Sequence, residues 1–325
     1  MRKLTYVQAL NEALNQLMGD DDKVFIIGQG VTSPWYVGSS CVGLVDRYTE
    51  ARVIDTPVSE NAVTGASIGA ALAGMRPILV HPRLDFMFYA MDPIANQASN
   101  WHYMFGGKLS VPLTIWGIIN RGGEQGAQHS QAVHSIYAHL PGIKVVMPST
   151  PYDVKGLLRA SVYDGNPVLF VDDRWLYQIK GDVPEKKYSV PIGKGRIRRK
   201  GKDLTIVATS YLVHEALAAA ERLEKKGISA EVLDPLTLKP LDNDLIFNSV
   251  KKTERLLVVD GGWKSFGAAA EIMARVAENQ EILEIRAPLK RVALPDSPAP
   301  ASRSLEKKYF KNAEEIFREA TKMVR

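Results

Sequence analysis

Two side chains in this sequence stand where protons could be handled: Glu60 and His129. Glu60 falls in Arg52-Val-Ile-Asp-Thr-Pro-Val-Ser-Glu-Asn-Ala-Val-Thr-Gly65, which reads as a short strand, a tight loop and the start of a helix. A carboxylate at that hinge lies outside the carboxyl end of a strand, where open α/β sheets bind ligands. Capping a helix needs only a short polar or acidic residue, so the cap alone does not account for Glu60. A bound group that exchanges a proton with it does. His129 lies in Asn120-Arg-Gly-Gly-Glu-Gln-Gly-Ala-Gln-His-Ser-Gln131, a Gly-rich polar loop that cannot pack a core. Its polar content makes it a candidate site.

The elements that must position them alternate in type. Leu4, Val7, Leu10, Leu14 and Leu17 predict a helix over 4–18, and Val24-Phe-Ile-Ile27 a short buried strand. Gly28-Gln-Gly30 lacks a third glycine at dinucleotide spacing and reads as a turn. Residues 30–50 read as loop. Strand 52–55, helix 61–74 and strand 77–80 then form a βαβ unit, whose crossover is right-handed. Gly65, Gly69 and Gly74 each weaken that helix by about 1 kcal/mol, which implies close approach by another helix or a subunit. The aromatic and Met stripe of 86–104 predicts core or a subunit face. Strand 113–119, helix 132–138, strand 144–147, helix 151–163 and strand 166–171 complete a first domain over 1–175. Residues 176–202 read as a polar linker. A second alternating unit over 203–325 has strands at 204–208, 229–233, 255–259 and 282–285. Its helices are expected at 212–226, 242–251, 267–279 and 313–324. Such alternation means mostly parallel sheets covered on both faces, an α/β fold.

Composition narrows the class. A chain of 325 residues, 46% hydrophobic and 24% charged, is large enough for two cores and ordinary for a globular protein. No apolar run reaches the roughly 20 residues that span a bilayer, and the opening residues read as amphipathic helix rather than signal peptide. The single cysteine, Cys41, excludes an internal disulfide and suits a reducing compartment, so a cytoplasmic protein is expected. Net charge is +5, but the one dense basic run, Arg196-Ile-Arg-Arg-Lys-Gly-Lys202, has no interleaved aromatics for base stacking. No nucleic acid and no membrane are expected as partners.

Taken together, Asp55-Thr-Pro-Val-Ser-Glu60, Gln128-His-Ser-Gln131, His139-Leu-Pro-Gly-Ile-Lys-Val-Val-Met-Pro148 and Val292-Ala-Leu-Pro-Asp-Ser-Pro-Ala-Pro300 resemble a known family. It is the beta subunit of the thiamine-dependent decarboxylating component of 2-oxo-acid dehydrogenase complexes, of pyruvate, branched-chain or acetoin type. The resemblance runs nearly end to end and implies a pyrimidine-binding domain followed by a transketolase-type C-terminal domain. It implies that Glu60 shares a proton with the aminopyrimidine ring of thiamine diphosphate, with Ser59 beside it and Phe86 packed on the ring. Val58, Ala62 and Val63 would keep that carboxyl poorly solvated, which suits proton sharing. It implies that His129 works near the thiazolium end, and that Ser161, Val162, Asp164 and Asn166 form a potassium site. The Gly-Asp-Gly motif that holds the diphosphate through Mg2+ occurs nowhere in this sequence. The resemblance therefore implies an alpha subunit that carries the diphosphate and Mg2+, a second beta subunit in an α2β2 assembly, and a lipoyl acyltransferase core as further partner.

Several positions depart from the family pattern. Gln29 stands where an acid is usual, His134 where a Glu is usual, and Pro93 where a Gln is usual. Asn61, His81 and Arg83 are also unusual at the rim of the site. These changes point to a 2-oxo acid other than plain pyruvate, or to an atypical pathway. Two other readings share the fold: the C-terminal half of a split transketolase-like transferase, and a non-catalytic scaffold subunit.

Overall fold

The structure is a computed structural model that describes residues 2–279 and 283–324. The chain divides into two compact units, one of residues 1–120 and 137–192, the other of 121–136 and 193–325. The Gly-rich loop packs with the second of these units.

In the first unit, β1 (Arg2–Thr5) leads into α1 (Tyr6–Asp20), where Thr5 and Gln8 cap each other's backbone in a capping box. Then come β2 (Val24–Gly28), α2 (Leu44–Tyr48), β3 (Val53–Asp55), α3 (Glu60–Leu72) and β4 (Arg76–His81). A helical run follows that changes pitch twice: a 3-10 segment over Leu84–Ala90, a π segment over Pro93–Ala98, and α4 (Ser99–Met104). Pro93 has no N–H to give the preceding turn, which loosens it. Ser99 Oγ and Asn100 Nδ2 then donate to the Ile94 and Ala95 carbonyls at 2.8 and 3.0 Å. Beyond β5 (Thr114–Ile119) and the short α5 (His134–His139) lie β6 (Lys144–Val146), α6 (Pro151–Val162), β7 (Val168–Asp173) and β8 (Lys180–Val183).

The unit's parallel strands lie in the order β6, β7, β5, β4, β2, β3, while β8 pairs antiparallel with β1. Because β2 has β3 on one side and β4 on the other, the strand order reverses there, which opens a crevice at the carboxyl ends. Gly28 ends β2 at that crevice. A Cβ on it would come within 2.3 Å of the Val80 carbonyl oxygen, so only glycine fits between the strands.

The second unit begins with β9 (Arg196–Arg199), β10 (Leu204–Ala208), α7 (Leu212–Glu224), β11 (Ala230–Asp234), β12 (Thr237–Lys239) and α8 (Asn243–Thr253). It continues with β13 (Leu256–Trp263), α9 (Ala268–Ala277), β14 (Lys290–Leu294), α10 (Arg303–Tyr309) and α11 (Ala313–Val324). Its sheet runs β14, β13, β10, β11, β9, parallel except for the edge strand β9. The aliphatic sides of α7 and α11 cover one face, with Leu212, Ala216, Leu223, Ile316 and Ala320 buried on Ile206 and Val232. α8 and α9 cover the other.

The basic run is therefore largely β9, where Arg198 pairs with buried Asp234 at 2.7 Å and Arg199 with Glu224 at 2.8 Å. The stretch 176–202 carries both β8 and β9. Of the strand expected over 282–285, Ile282 lies outside the described residues and 283–285 are not strand. β14 is the last strand instead; its start, Lys290-Arg291, hides it from an apolar-run search. No helix among the described residues is long and apolar enough to cross a membrane. Burial pushes the Cys41 thiol up to about 12, so it is an inert core residue.

A buried polar knot closes the end of β7. Asp172 accepts from Trp116 Nε1 at 3.1 Å and from the Tyr177 hydroxyl at 2.7 Å. Burial outweighs these hydrogen bonds and raises its carboxyl to about 6. A carboxyl raised on folding binds its proton more tightly in the folded state, so stability falls as pH climbs from its unfolded value, about 4, to about 6. Asp172→Asn should flatten the stability profile across that window in urea titrations; an unchanged slope would contradict the assignment. Gly28→Ala should cost about 1–3 kcal/mol through overpacking against Val80, read as a fall in the urea midpoint.

Candidate active site

An open cavity of about 300 Å3 lies at the carboxyl ends of β2 and β4 and the start of α3. Three of the expected residues meet there: Ser59, Glu60 and Phe86 all line it. Each is delivered by a different local rule. Ser59 is the N-cap residue of α3, though its side chain makes no capping hydrogen bond. Glu60 follows as the first helical residue, where the helix dipole favours a negative charge. Phe86 comes from the 3-10 segment after β4, half-buried at the cavity wall.

Glu60 has no hydrogen-bond or ion-pair partner among the described residues. Of the apolar neighbours expected to cover it, Val58 is 68% exposed and Ala62 is exposed, while Val63 is half-buried and lines the cavity. The aminopyrimidine half of thiamine diphosphate fits these residues, since it offers a hydrogen-bond partner to an acid and a ring face to Phe86. The bare helix face agrees. Gly65 and Gly69 are exposed, and a Cβ on either would meet nothing within 4 Å.

Three of the six departures from the family pattern lie in the same cavity. Gln29, His81 and Arg83 line it. Gln29 donates to the Tyr36 hydroxyl at 2.9 Å, and Asp55 ties the adjoining loop by accepting from the Gly30 N–H at 2.7 Å and the Thr32 hydroxyl at 2.6 Å. His81 is buried beside the Thr64 hydroxyl at 3.4 Å. Burial lowers its imidazole to about 4, so it is neutral at pH 7. Arg83 is half-buried, and burial together with the neighbouring Arg174 charge lowers its pKa from the ordinary value. Glu60 is therefore the one carboxylate among the residues lining this wall.

His129 belongs to the second unit, half-buried in its Gly-rich loop. The loop is held at both ends. Near its start the Glu124 N–H donates to Glu306 at 2.8 Å, and Arg121 packs so closely that a Cβ at Gly261 would come within 3.0 Å of its guanidinium. After it, fully buried His134 Nε2 lies 3.0 Å from fully buried Asp260 Oδ1, which also accepts from the Thr209 hydroxyl at 2.9 Å. Burial pushes the Asp260 carboxyl up, but the field and hydrogen bond of His134 and the Thr209 hydroxyl outweigh it, leaving it below the usual carboxylate range. Sequence reading marked His134 only as a departure and missed Asp260. The signal was available: an acid at the end of a buried strand, in Val258-Val-Asp-Gly-Gly262.

The four residues expected to hold potassium lie at the end of α6. Asp164 is paired with Lys144 at 2.5 Å, and the Val162 carbonyl accepts from Arg76 at 3.2 Å. The Ser161 carbonyl accepts the Asp164 N–H at 3.2 Å. An ammonium thus lies on the Asp164 side chain and a guanidinium on the Val162 backbone carbonyl.

Comparison with known proteins places this geometry in a lineage. Residues 2–180 match the family described as the transketolase pyrimidine binding domain, and 193–316 the transketolase C-terminal domain. The chain is 42% identical to the acetoin:2,6-dichlorophenolindophenol oxidoreductase subunit beta of Cupriavidus necator, covering 100% of this chain and 98% of that one. It is 40% identical to the 2-oxoisovalerate dehydrogenase subunit beta of Bacillus subtilis, with 97% of each covered. A solved split-gene transketolase, described as an inactive beta4 tetramer, shares the fold at a TM-score of 0.79 and 20% identity over 99% of both chains. With both domains matched in order and relatives this similar over nearly their whole lengths, the chain belongs to the family of beta subunits of the first, thiamine-dependent component of 2-oxo-acid dehydrogenase complexes.

Proposed function

We propose that this chain supplies the pyrimidine half of a thiamine diphosphate site, completed by an alpha-type partner, for the oxidative decarboxylation of a 2-oxo acid with acyl transfer to lipoamide. The observation that carries this is the carboxylate of Glu60, which lines the cavity with no hydrogen-bond or ion-pair partner among the described residues. The bare Gly65–Gly69 face of α3 supports a partner at that mouth, since it leaves room for backbone-close contact. The missing Gly-Asp-Gly motif supports a partner that holds the diphosphate and Mg2+. A second copy of this chain and a lipoyl core extend the same reading, and the lone buried cysteine fits a cytoplasmic setting.

When bound, the cofactor supplies the electron sink that accepts the pair left by decarboxylation. Glu60 accepts and returns a proton through its carboxyl oxygens, and the helix N-terminus steadies its charge between the two states. Phe86 and Val63 form an apolar part of the wall, and neutral His81 adds no positive charge to compete for the carboxylate. His129 offers a proton donor or acceptor on a loop whose ends are fixed, so it loses little freedom on meeting substrate. A potassium ion on the backbone carbonyls around Ser161, Val162, Asp164 and Asn166 belongs to the same reading, with Arg76 competing for the Val162 carbonyl.

Three outcomes are expected. Thiamine diphosphate should bind negligibly to this chain alone by calorimetry and tightly once the alpha-type chain is added. In the reconstituted pair, Glu60→Gln and Glu60→Ala should each lower kcat by about 10²–10⁴ with the assembly intact by sedimentation; near-wild-type turnover in either would sink the reading. Gly69→Ala should stabilise the isolated chain by about 1 kcal/mol, whereas Gly69→Trp should leave its melting unchanged and block assembly.

A further inference from the structure

The Gly-rich loop that carries His129 is buried at its ends and exposed between them: Arg121 and 132–134 are buried, whereas 123–125, 127 and 128 are exposed. Gly122, Gly123, Glu124 and Gly126 all have φ between 61° and 72°, the left-handed region that glycine takes freely and a glutamate does not. So permissive a backbone has little shape of its own, and what grips its ends decides where His129 stands.

Both ends are gripped by one short segment of β13, Asp260-Gly261-Gly262. At the start, Arg121 lies so close that a Cβ on Gly261 would come within 3.0 Å of its guanidinium nitrogens. At the finish, a Cβ on Gly262 would come within 3.2 Å of the Ala132 carbonyl oxygen and 3.5 Å of His134 Cε1. Between those contacts, Asp260 Oδ1 meets His134 Nε2 at 3.0 Å and accepts from the Thr209 hydroxyl at 2.9 Å. An ionised carboxylate only accepts, so Nε2 carries the proton of that bond. Stability alone does not call for such a pair, because well-packed apolar side chains of similar volume often hold a buried contact as well or better. A hydrogen bond to a charge adds direction, fixing the imidazole and the chain that bears it in one orientation.

We propose that Asp260 is a positioning residue, which through His134 sets where the loop presents His129. The consequence for turnover rests on the function proposed above. A group displaced by about 1 Å from its productive place can cost about 10²-fold in rate. Glu306 holds the exposed stretch separately, at the Glu124 N–H, so cutting the Asp260 tie frees the His129 end and leaves the rest of the loop anchored.

Two sets of measurements test this. In the isolated full-length chain, Asp260→Ala should speed amide hydrogen exchange over 127–134 while α7 and α11 stay as protected as in wild type. In the chain reconstituted with its alpha-type partner, the same variant should lower kcat about 10²-fold, with KM for the 2-oxo acid changed by less than about 2-fold. Placed in a His129→Ala background, it should cost no more than about a further 2-fold, because the two residues act as one unit. His134→Gln still has an Nε2 donor for Asp260, and should recover most of the kcat that His134→Leu loses. Should Asp260→Ala fail to fold, Gly262→Ala carries the same readouts with smaller changes, since it keeps the pair and presses on the Ala132 carbonyl. Exchange that is unchanged over 127–134, or raised evenly through the second unit, overturns the proposal. So does a full additional loss in the His129→Ala background, or His134→Gln no better than His134→Leu. If the reconstituted pair turns over no 2-oxo acid, the proposed function fails, and the exchange result alone decides whether Asp260 holds the loop. If the pair is active and the two losses are simply additive, only the positioning role fails.

Discussion

Glu60 is held at the first turn of α3 with no hydrogen-bond or ion-pair partner among the described residues, and the surrounding architecture follows from keeping it so. A carboxylate left in water would be an ordinary surface residue. One sealed by its own fold could not reach a ligand. This one sits between those cases, at the place where strand order reverses and the carboxyl ends of β2 and β4 diverge. Gly28 lets β2 and β4 approach closely enough to form the floor. The 3-10 segment after β4 carries Phe86 to the wall. Val63 and Phe86 give the carboxylate an apolar wall on one side, while Val58 and Ala62 are exposed.

The same division explains features that look costly in isolation. Glycines within α3 weaken a helix, and the space beside Gly65 and Gly69 is empty in this chain. Tyr89 and Tyr103, exposed at 72% and 88%, belong to the helical run that expectation gave to core or a subunit face. Local cost with no return inside the chain is the signature of a surface completed on assembly. The two units bring separate resources: the first holds Glu60 and its cavity, and the second holds His129 on a loop fixed by Asp260 and Glu306.

Three of the departures from the family pattern share one wall. Gln29 and His81 are neutral and Arg83 is cationic, so the cavity wall around Glu60 carries no second acid among its lining residues. His134 lies elsewhere and meets Asp260 at 3.0 Å in a fully buried hydrogen-bonded pair.

The order of strands and helices, the hinge at Glu60, the Gly-rich loop at His129 and the missing diphosphate motif were all legible from residue types and spacing, because periodicity and turn chemistry are local. The strand β14 was not, since its polar first residues carry no apolar run, and neither was the π segment at Pro93. Tertiary structure alone decided that 121–136 packs with the second unit and that Asp260 receives His134. Those facts depend on which distant side chains meet, and on whether burial or pairing wins at each meeting. A linear pattern does not encode that balance of distances.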